Sequence, residues 1–403
     1  MLDIKKIRPD FPILKKKRNN RSFIYFDNAA TTQKPKLVID AICDFYSNYN
    51  SNIQRGMYFF ADKATTEFEK SRTIISSFLN TQFKEEIIFT SGTTHAINMV
   101  AFGFLQKFTS KGDEVLIGEM EHHANIIPWQ VVARKLGVKF TKLKCCKNGR
   151  VDIKQLKEKL NTNVKLIAVQ HISNITGSEN NIKEICALAH KKNIKVFVDG
   201  AQAVSHKAVN VRDLDCDFYS FSGHKCFGPT GVGVLFGKKK LLLDMEPFIF
   251  GGNMIDQVSF SKSSWGKLPH KFEAGTANIA GVIGLGVAIK YILSLGLNEI
   301  REREKMLTNL MWESLKSIND VIINTTTPSS PIFSFNISGV HNYDVGSLLD
   351  EMNICVRTGQ LCAQPAINSL GVPGLIRASL CFYNTEEEIK IFTSSIKKII
   401  KIL

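Results

Sequence analysis

The stretch SFSGHKCFGPTGVG sets Lys225 beside Cys226 in a glycine-rich turn that follows an apolar run. An amine there can form a covalent link to a carbonyl, and a thiol can act as a nucleophile. Successive residues at a strand end point to opposite sides, so one of the two faces a pocket and the other packs. Asp199, which closes the preceding apolar run KVFVD, bears on the choice. Alone, it reads as a carboxylate that caps the following helix. Paired with Lys225, it reads as half of a pyridoxal phosphate arrangement, in which a lysine carries the cofactor and a carboxylate keeps the pyridine nitrogen protonated. Cys226 then reads as a buried packing thiol. FTSGTT before HAINMVAFGFL offers Thr93 and Thr94 at a helix N-terminus suited to a phosphate. An ordinary N-cap would use the same letters. Ser222 and His224 can add donors, and no Walker pattern is present, which points away from nucleotide triphosphatases.

Positioning these groups requires a sheet. EIIFTSG, DEVLIGE, VKFTKLK, VKLIAVQHIS, IKVFVDG, DFYSFSGHK and VGVLFG are short apolar runs bounded by turn residues, and helical patterns such as KEICALAHKKN lie between several of them. The alternation predicts an α/β fold with a mostly parallel seven-stranded sheet covered on both faces. Ligands collect at the C-terminal ends of such strands, which also draws in His122, His123, Asn174 and Gln202. Three regions are expected: an N-terminal segment 1–20 packed on the small domain, a large domain 21–290 and a small α+β domain 291–403. The last contains the charged helical segment LNEIREREKMLTNLMWESLKSI, the TTTPSSP linker, the strand-like SPIFSFNIS, ICVRTG and LIRASLCFY, a helix NYDVGSLLDEMN, and a final amphipathic helix with Thr385 as its N-cap.

Composition bounds the partners. Of 403 residues 44% are hydrophobic and 22% charged, as in ordinary globular proteins. The net charge of +15 is spread along the chain without interleaved aromatics, so nucleic acid is not an expected partner. Nine cysteines without a CxxC pair or zinc spacing suggest neither disulfides nor a metal, and fit a reducing cytosol. The N-terminus reads as neither signal nor transit peptide, and ANIAGVIGLGVAI is shorter than the roughly 20 residues that cross a bilayer, so a cytoplasmic protein without a membrane span is expected.

EMEHHANIIPWQ, SNITGSEN, VDGAQAV, DCDFYSFSGHK, GPTGVGVL, FEAGT and VRTGQLCA, taken in order, resemble the cysteine desulfurases of the Suf-system type, pyridoxal phosphate enzymes of the class V aminotransferase group. The resemblance runs from DFP near residue 10 to the last helix. It implies fold type I, the aspartate aminotransferase-like architecture. It also implies that Lys225 bears the cofactor, Asp199 meets the pyridine nitrogen, His122 lies over the ring, Gln202 bonds the phenolic oxygen, and Thr93, Thr94, Ser222 and His224 hold the phosphate. Thr276 of FEAGT matches a threonine that reaches the phosphate from the second subunit, which implies a homodimer. Arg377 matches the grip on the substrate carboxylate, with Asn174, Arg357 and Arg55 as further substrate-binding residues. Cys362 matches the catalytic cysteine, which takes sulfur from L-cysteine as a persulfide and leaves alanine. The resemblance makes Lys225 the natural proton carrier, with His122 as its helper. A sulfur-acceptor protein and iron-sulfur scaffold proteins of the Suf system are the implied partners.

Gln54, Gln360 and Leu361 depart from the histidines common in the family. None removes a group that the chemistry demands, and they bear on thiolate tuning and substrate entry. Selenocysteine lyase, a transaminating class V enzyme and a basic RNA-binding protein are the rivals; only desulfuration makes Cys362 indispensable. Cys43, Cys186, Cys216 and Cys381 read as small core residues.

Overall fold

The computed structural model describes residues 2–324 and 329–403, so residues 325–328 of the expected TTTPSSP linker lie outside the described residues. Seven strands form the main sheet: β1 Ile87–Thr90, β2 Glu114–Gly118, β3 Lys139–Leu143, β4 Val164–Gln170, β5 Lys195–Asp199, β6 Phe218–Ser222 and β7 Gly233–Gly237. Their spatial order is β1-β7-β6-β5-β4-β2-β3. All neighbours run parallel except β7, which is antiparallel to both β1 and β6. Each of the seven apolar runs became a strand, because a sheet covered on both faces buries nearly every residue of its inner strands. The exception is β3, where Lys139 and Lys142 are exposed. Charges on an edge discourage pairing with another chain.

A second, antiparallel sheet has the order Val321–Ile323, Ile332–Ile337, Leu375–Ser379 and Arg357–Gly359. The helices Leu297–Lys316, Asn342–Glu351 and Glu386–Ile402 share its core through Leu307, Met311, Val345, Leu349, Phe392 and Ile396. Thr385 does cap the last helix: its hydroxyl accepts from the Glu388 N–H, and the Glu388 carboxylate accepts from the Thr385 N–H. ICVRTG divides into two short strands, and Ile354–Cys355 pairs in parallel with Ile24–Tyr25 rather than with the antiparallel sheet.

The N-terminal segment is wedged between both regions. Phe11 packs its ring against Phe227 and Tyr291 as well as Phe382 and Tyr383. Arg8 reaches the Tyr383 carbonyl at 2.8 Å and Glu388 at 2.6 Å.

Helix Ile279–Leu295 is apolar all round because it is buried, packed against the helices Lys36–Asn48 and Phe59–Leu79. Among the described residues no single helix is long and apolar enough to cross a membrane. Cys186, Cys216 and Cys381 are buried as expected, but Cys43 is exposed. Helix Lys36–Asn48 turns Val38 and Phe45 inward, with Ile42 packed beside them, and this rotates the next residue, Cys43, outward alongside Ile39 and Tyr46.

Candidate active site

The C-terminal ends of β4, β5 and β6 open onto a cavity of about 470 Å³ whose far wall comes from the antiparallel sheet. Thr93, Thr94, His122, Asn174, Asp199, Gln202, Ser222, His224, Lys225, Arg357, Cys362 and Arg377 all line it. Arg55 and Thr276 do not. Both are exposed and line a separate cavity of about 400 Å³ with Gln54, Tyr58 and Asn253. Within one chain, then, Arg55 is not in the substrate pocket, because its segment packs against the loop that carries Thr276 rather than against the sheet ends.

Lys225 stands in a turn directly after β6. Desolvation pushes its amine below the usual lysine range, while the nearby Asp199 carboxylate opposes the shift and Arg377 adds to it. A lysine with a weakened hold on its proton is more often the free amine, the form that acts as nucleophile or base. Asp199 ends β5 and is 6% exposed. Its Oδ1 accepts from the Ala201 N–H at 2.9 Å, but residues 201–206 form turns rather than the expected helix, so the carboxylate closes a turn while it lines the pocket. Burial pushes its carboxyl up, against the pull of that N–H and of Lys225. Cys226 is fully buried, as its turn position predicted, and burial raises its thiol to about 12.

His122 is half-buried, and burial first, then the charges of Lys225, His123 and Arg377, lower its ring to about 3. Its Nδ1 accepts from the Ala124 N–H at 3.0 Å, so the proton of the neutral ring is on Nε2. At the opposite end, the Ser222 hydroxyl accepts from the Thr93 N–H at 2.9 Å, at the start of helix Thr93–Val100. Other first-turn N–H groups of that helix have no intrahelical acceptor. His224 is kept neutral by burial and by Lys225 and Lys34, which lower it to about 4. Gln202 donates to the Ala29 carbonyl at 2.7 Å.

The far wall is organised by a residue that sequence reasoning missed. Asp27 lies between two arginines that face each other across neighbouring strands, Arg357 and Arg377. Arg357 meets both Asp27 oxygens, the shortest contact being 2.8 Å, and Arg377 reaches Oδ1 at 3.3 Å. Arg377 also donates to the Asn174 carbonyl at 3.0 Å. Burial pushes Arg377 below the usual guanidinium range even though Asp27 pulls it back. Its Nε and the Asn174 Oδ1 are buried without a hydrogen-bond partner. Two such orphaned groups on one wall are what a bound ligand would satisfy. A second missed residue, Glu121, is buried behind this site. It accepts from the Gln170 N–H and the Asn125 amide, and its carboxyl is held far above the usual range by burial. Asp27 sits in FDNAAT, where no periodicity marks it, and Glu121 sits just before the histidine pair.

Cys362 is exposed at the cavity mouth, and both it and Leu361 are in the left-handed backbone region, with φ 55° and 53°. Leu361, one of the departures from the family pattern, is buried among Met120, Ile175, Ala363 and Ile367 and anchors the loop from beneath. Lys225, Arg357 and Arg377 are all close enough to feel the charge of the Cys362 thiolate.

The residues fit pyridoxal phosphate on the chemistry of the donor set. A desolvated lysine faces a buried carboxyl, a neutral imidazole lines the same space, and hydroxyl and N–H donors cluster at one helix N-terminus. Lys225 would carry the group, Asp199 would face its ring nitrogen, and Thr93, Thr94, Ser222 and His224 would take its phosphate.

A family model described as Aminotransferase class-V matches residues 24–392. A cysteine desulfurase of Salmonella agona (strain SL483) is 42% identical over 401 residues, 99% of each chain. The crystal structure of the cysteine desulfurase CsdA from Escherichia coli, in its S-sulfonic acid form, matches with a TM-score of 0.94 at 35% identity, over 100% of both chains. The apo cysteine desulfurase from Thermococcus onnurineus NA1 matches with a TM-score of 0.95 at 36% identity, over 100% of this chain and 99% of that one.

Proposed function

The chain belongs to the class-V aminotransferase family, pyridoxal phosphate-dependent enzymes, and from that premise we propose that it is a cysteine desulfurase whose persulfide forms on Cys362. The observation that carries this is the exposed Cys362 on the rim of a pocket shared with Lys225, Asp199 and Arg377. A transaminase has use for the last three and none for the thiol.

Bound in the pocket, pyridoxal phosphate supplies an electron-accepting ring in conjugation with the substrate α-carbon. The protein does the rest. Arg377, held by Asp27 and the Asn174 carbonyl, binds the substrate carboxylate and so fixes the amino acid's orientation. Its unpartnered Nε, a donor, supports that assignment. Lys225, with its lowered proton affinity, takes the α-proton and moves it. His122, neutral with a proton on Nε2, can donate at that atom without adding charge. The Cys362 thiolate attacks the substrate sulfur. An S–S bond forms as the carbon–sulfur bond breaks, the electron pair stays with the carbon fragment, and that fragment takes up two protons, one at the β-carbon and one back at the α-carbon, to become alanine. Arg357, half-exposed and held by Asp27, lines the same pocket as the thiol.

The enzyme works as a homodimer, in which Arg55 and Thr276 complete the partner's pocket. Both are exposed, and Met57, Tyr58, Phe59 and Phe60, next to Arg55 in sequence, leave a large apolar patch uncovered in the single chain. The sulfur goes on to an acceptor protein for iron-sulfur cluster assembly. Replacing Cys362 by Ala tests the core of the proposal. The variant is expected to keep the visible absorption of its bound cofactor while alanine formation from cysteine falls by about 10²- to 10⁴-fold, the usual range for a lost catalytic group; native-like alanine formation would refute it.

A further inference from the structure

We propose that His123 is a positioning residue for the Cys362 thiol, an inference that rests on the desulfurase reading of Cys362. His122 and His123 are neighbours with divergent tasks. The ring of His122 lines the pocket, whereas His123 turns to the loop that carries the cysteine. Two hydrogen bonds make the connection. The His123 main-chain N–H donates to the Cys362 carbonyl at 2.7 Å, and the His123 ring Nε2 accepts from the Gln364 N–H at 2.9 Å. A backbone N–H can only donate, so Nε2 is unprotonated and the ring's proton is on Nδ1. The cysteine itself and the residue two beyond it are thus tied to one histidine.

The loop needs such ties. Leu361 and Cys362 are consecutive non-glycine residues with left-handed φ, a conformation that persists only where the surroundings impose it. From the other side Asn174 donates to the Leu361 carbonyl at 3.0 Å, and the Ala363 N–H closes a turn onto Gln360 at 2.9 Å. Of these restraints, the His123 ring bond is the one a side-chain substitution can remove without touching a residue that faces the reacting atoms. Its main-chain partner survives any such change, so the substitution isolates the ring's contribution.

The test compares His123→Ala, which removes the acceptor, with His123→Gln, whose Oε1 can replace Nε2. Both are prepared as holoenzymes and assayed for alanine and for Cys362 persulfide in a single turnover. His123→Ala is expected to lower kcat by about tenfold to a hundredfold, the scale of a misplaced reacting group, with cofactor absorption retained. KM for cysteine should stay within about twofold, because the substrate-binding groups are untouched. His123→Gln is expected to recover most of the loss. A kcat for His123→Ala within about twofold of native, or equal losses in the Ala and Gln variants, would overturn the proposal. Should His123→Ala fail to fold, His123→Leu against His123→Gln carries the same comparison, and equal turnover of that pair overturns it. Full alanine production by Cys362→Ala would refute the desulfurase reading itself. A native-like His123→Ala in a chain that still requires Cys362 refutes only the positioning role.

Discussion

The turn that carries Lys225 and the loop that carries Cys362 face one pocket and are built in opposite ways. Around Lys225 the backbone is held from within the core. The His224 carbonyl accepts from the Thr31 and Thr32 hydroxyls, the Thr32 N–H and the Lys34 amine, and the Phe227 N–H donates to the Thr32 hydroxyl. Gly223 has no room for a side chain, since a Cβ there would meet Val232 at 2.9 Å. The part-buried Lys34 amine, which donates to the His224 carbonyl, is lowered by desolvation to about 8. The Cys362 loop has an exposed thiol and left-handed backbone, and its hold comes from the side chains of Asn174 and His123 and the His123 backbone. The difference teaches what each group must do on the proposed function. A lysine that returns to one atom at each turnover profits from an over-determined backbone, and a thiol that hands sulfur to another protein has to stay at the surface.

Three experiments would break or sharpen this contrast. The largest effect is expected from Lys225→Ala, which should abolish covalent cofactor attachment, read as loss of the native visible absorption, and cut turnover by about 10³-fold or more, since it removes the proton carrier as well. Retained turnover would place the essential base elsewhere. Next is Asp27→Asn, which takes the charge from between Arg357 and Arg377. The pair with Arg357 is half-exposed and worth at most about 1 kcal/mol. The pair with Arg377 is buried, and leaving that guanidinium uncompensated should cost about 3 kcal/mol in urea unfolding. KM for cysteine should rise about tenfold as the carboxylate grip loses its aim, with Cys362 alkylation little changed. A changed alkylation rate with an unchanged KM would join Asp27 to the thiol side instead.

The smallest effect concerns pH. His171, buried beside Tyr219 and outside the pocket, is lowered to about 4, first by desolvation. A histidine whose folded value lies below its unfolded value near 6.5 favours the folded state fully above 6.5, and that contribution is lost as pH falls from 6.5 through about 4. His171→Gln should therefore flatten the fall of stability between pH 6.5 and 4 by a few kcal/mol at most, read from urea midpoints. An unchanged slope would assign the acid sensitivity to the pocket residues His122 and His224.

How much of this was legible in the sequence follows from the physics of each part. The seven strands read correctly because inner strands of a covered sheet are apolar without interruption. Lys225 and Asp199 stood out because they follow two such runs in succession, and Cys226 could be set aside by its turn position. Cys362 was marked only by family resemblance, since one thiol among nine has no local signature. Asp27 escaped notice because its value lies in two arginines far along the chain, brought to it by the register of the antiparallel sheet. Arg55 was expected with the substrate residues; within one chain its segment lies against the Thr276 loop, and its place at the site rests on the proposed dimer. Cys43 misled because a helix with apolar residues on two sides gives no sign in sequence of which side turns in.

The reversed strand β7 has a consequence for how the pocket comes into being. β1 leads directly into helix Thr93–Val100, yet its one strand neighbour is β7, across a loop that runs from Ser91 to Val232. As synthesis proceeds, β1 is made first and stays unpaired until β7 leaves the ribosome, since closing so long a loop has to precede the contacts that reward it. β7 also completes the sheet beside β6, the strand that ends at the Lys225 turn. The two ends of the pocket, helix N-terminus and lysine turn, are therefore joined in the sheet through β7, the last of the seven strands along the chain.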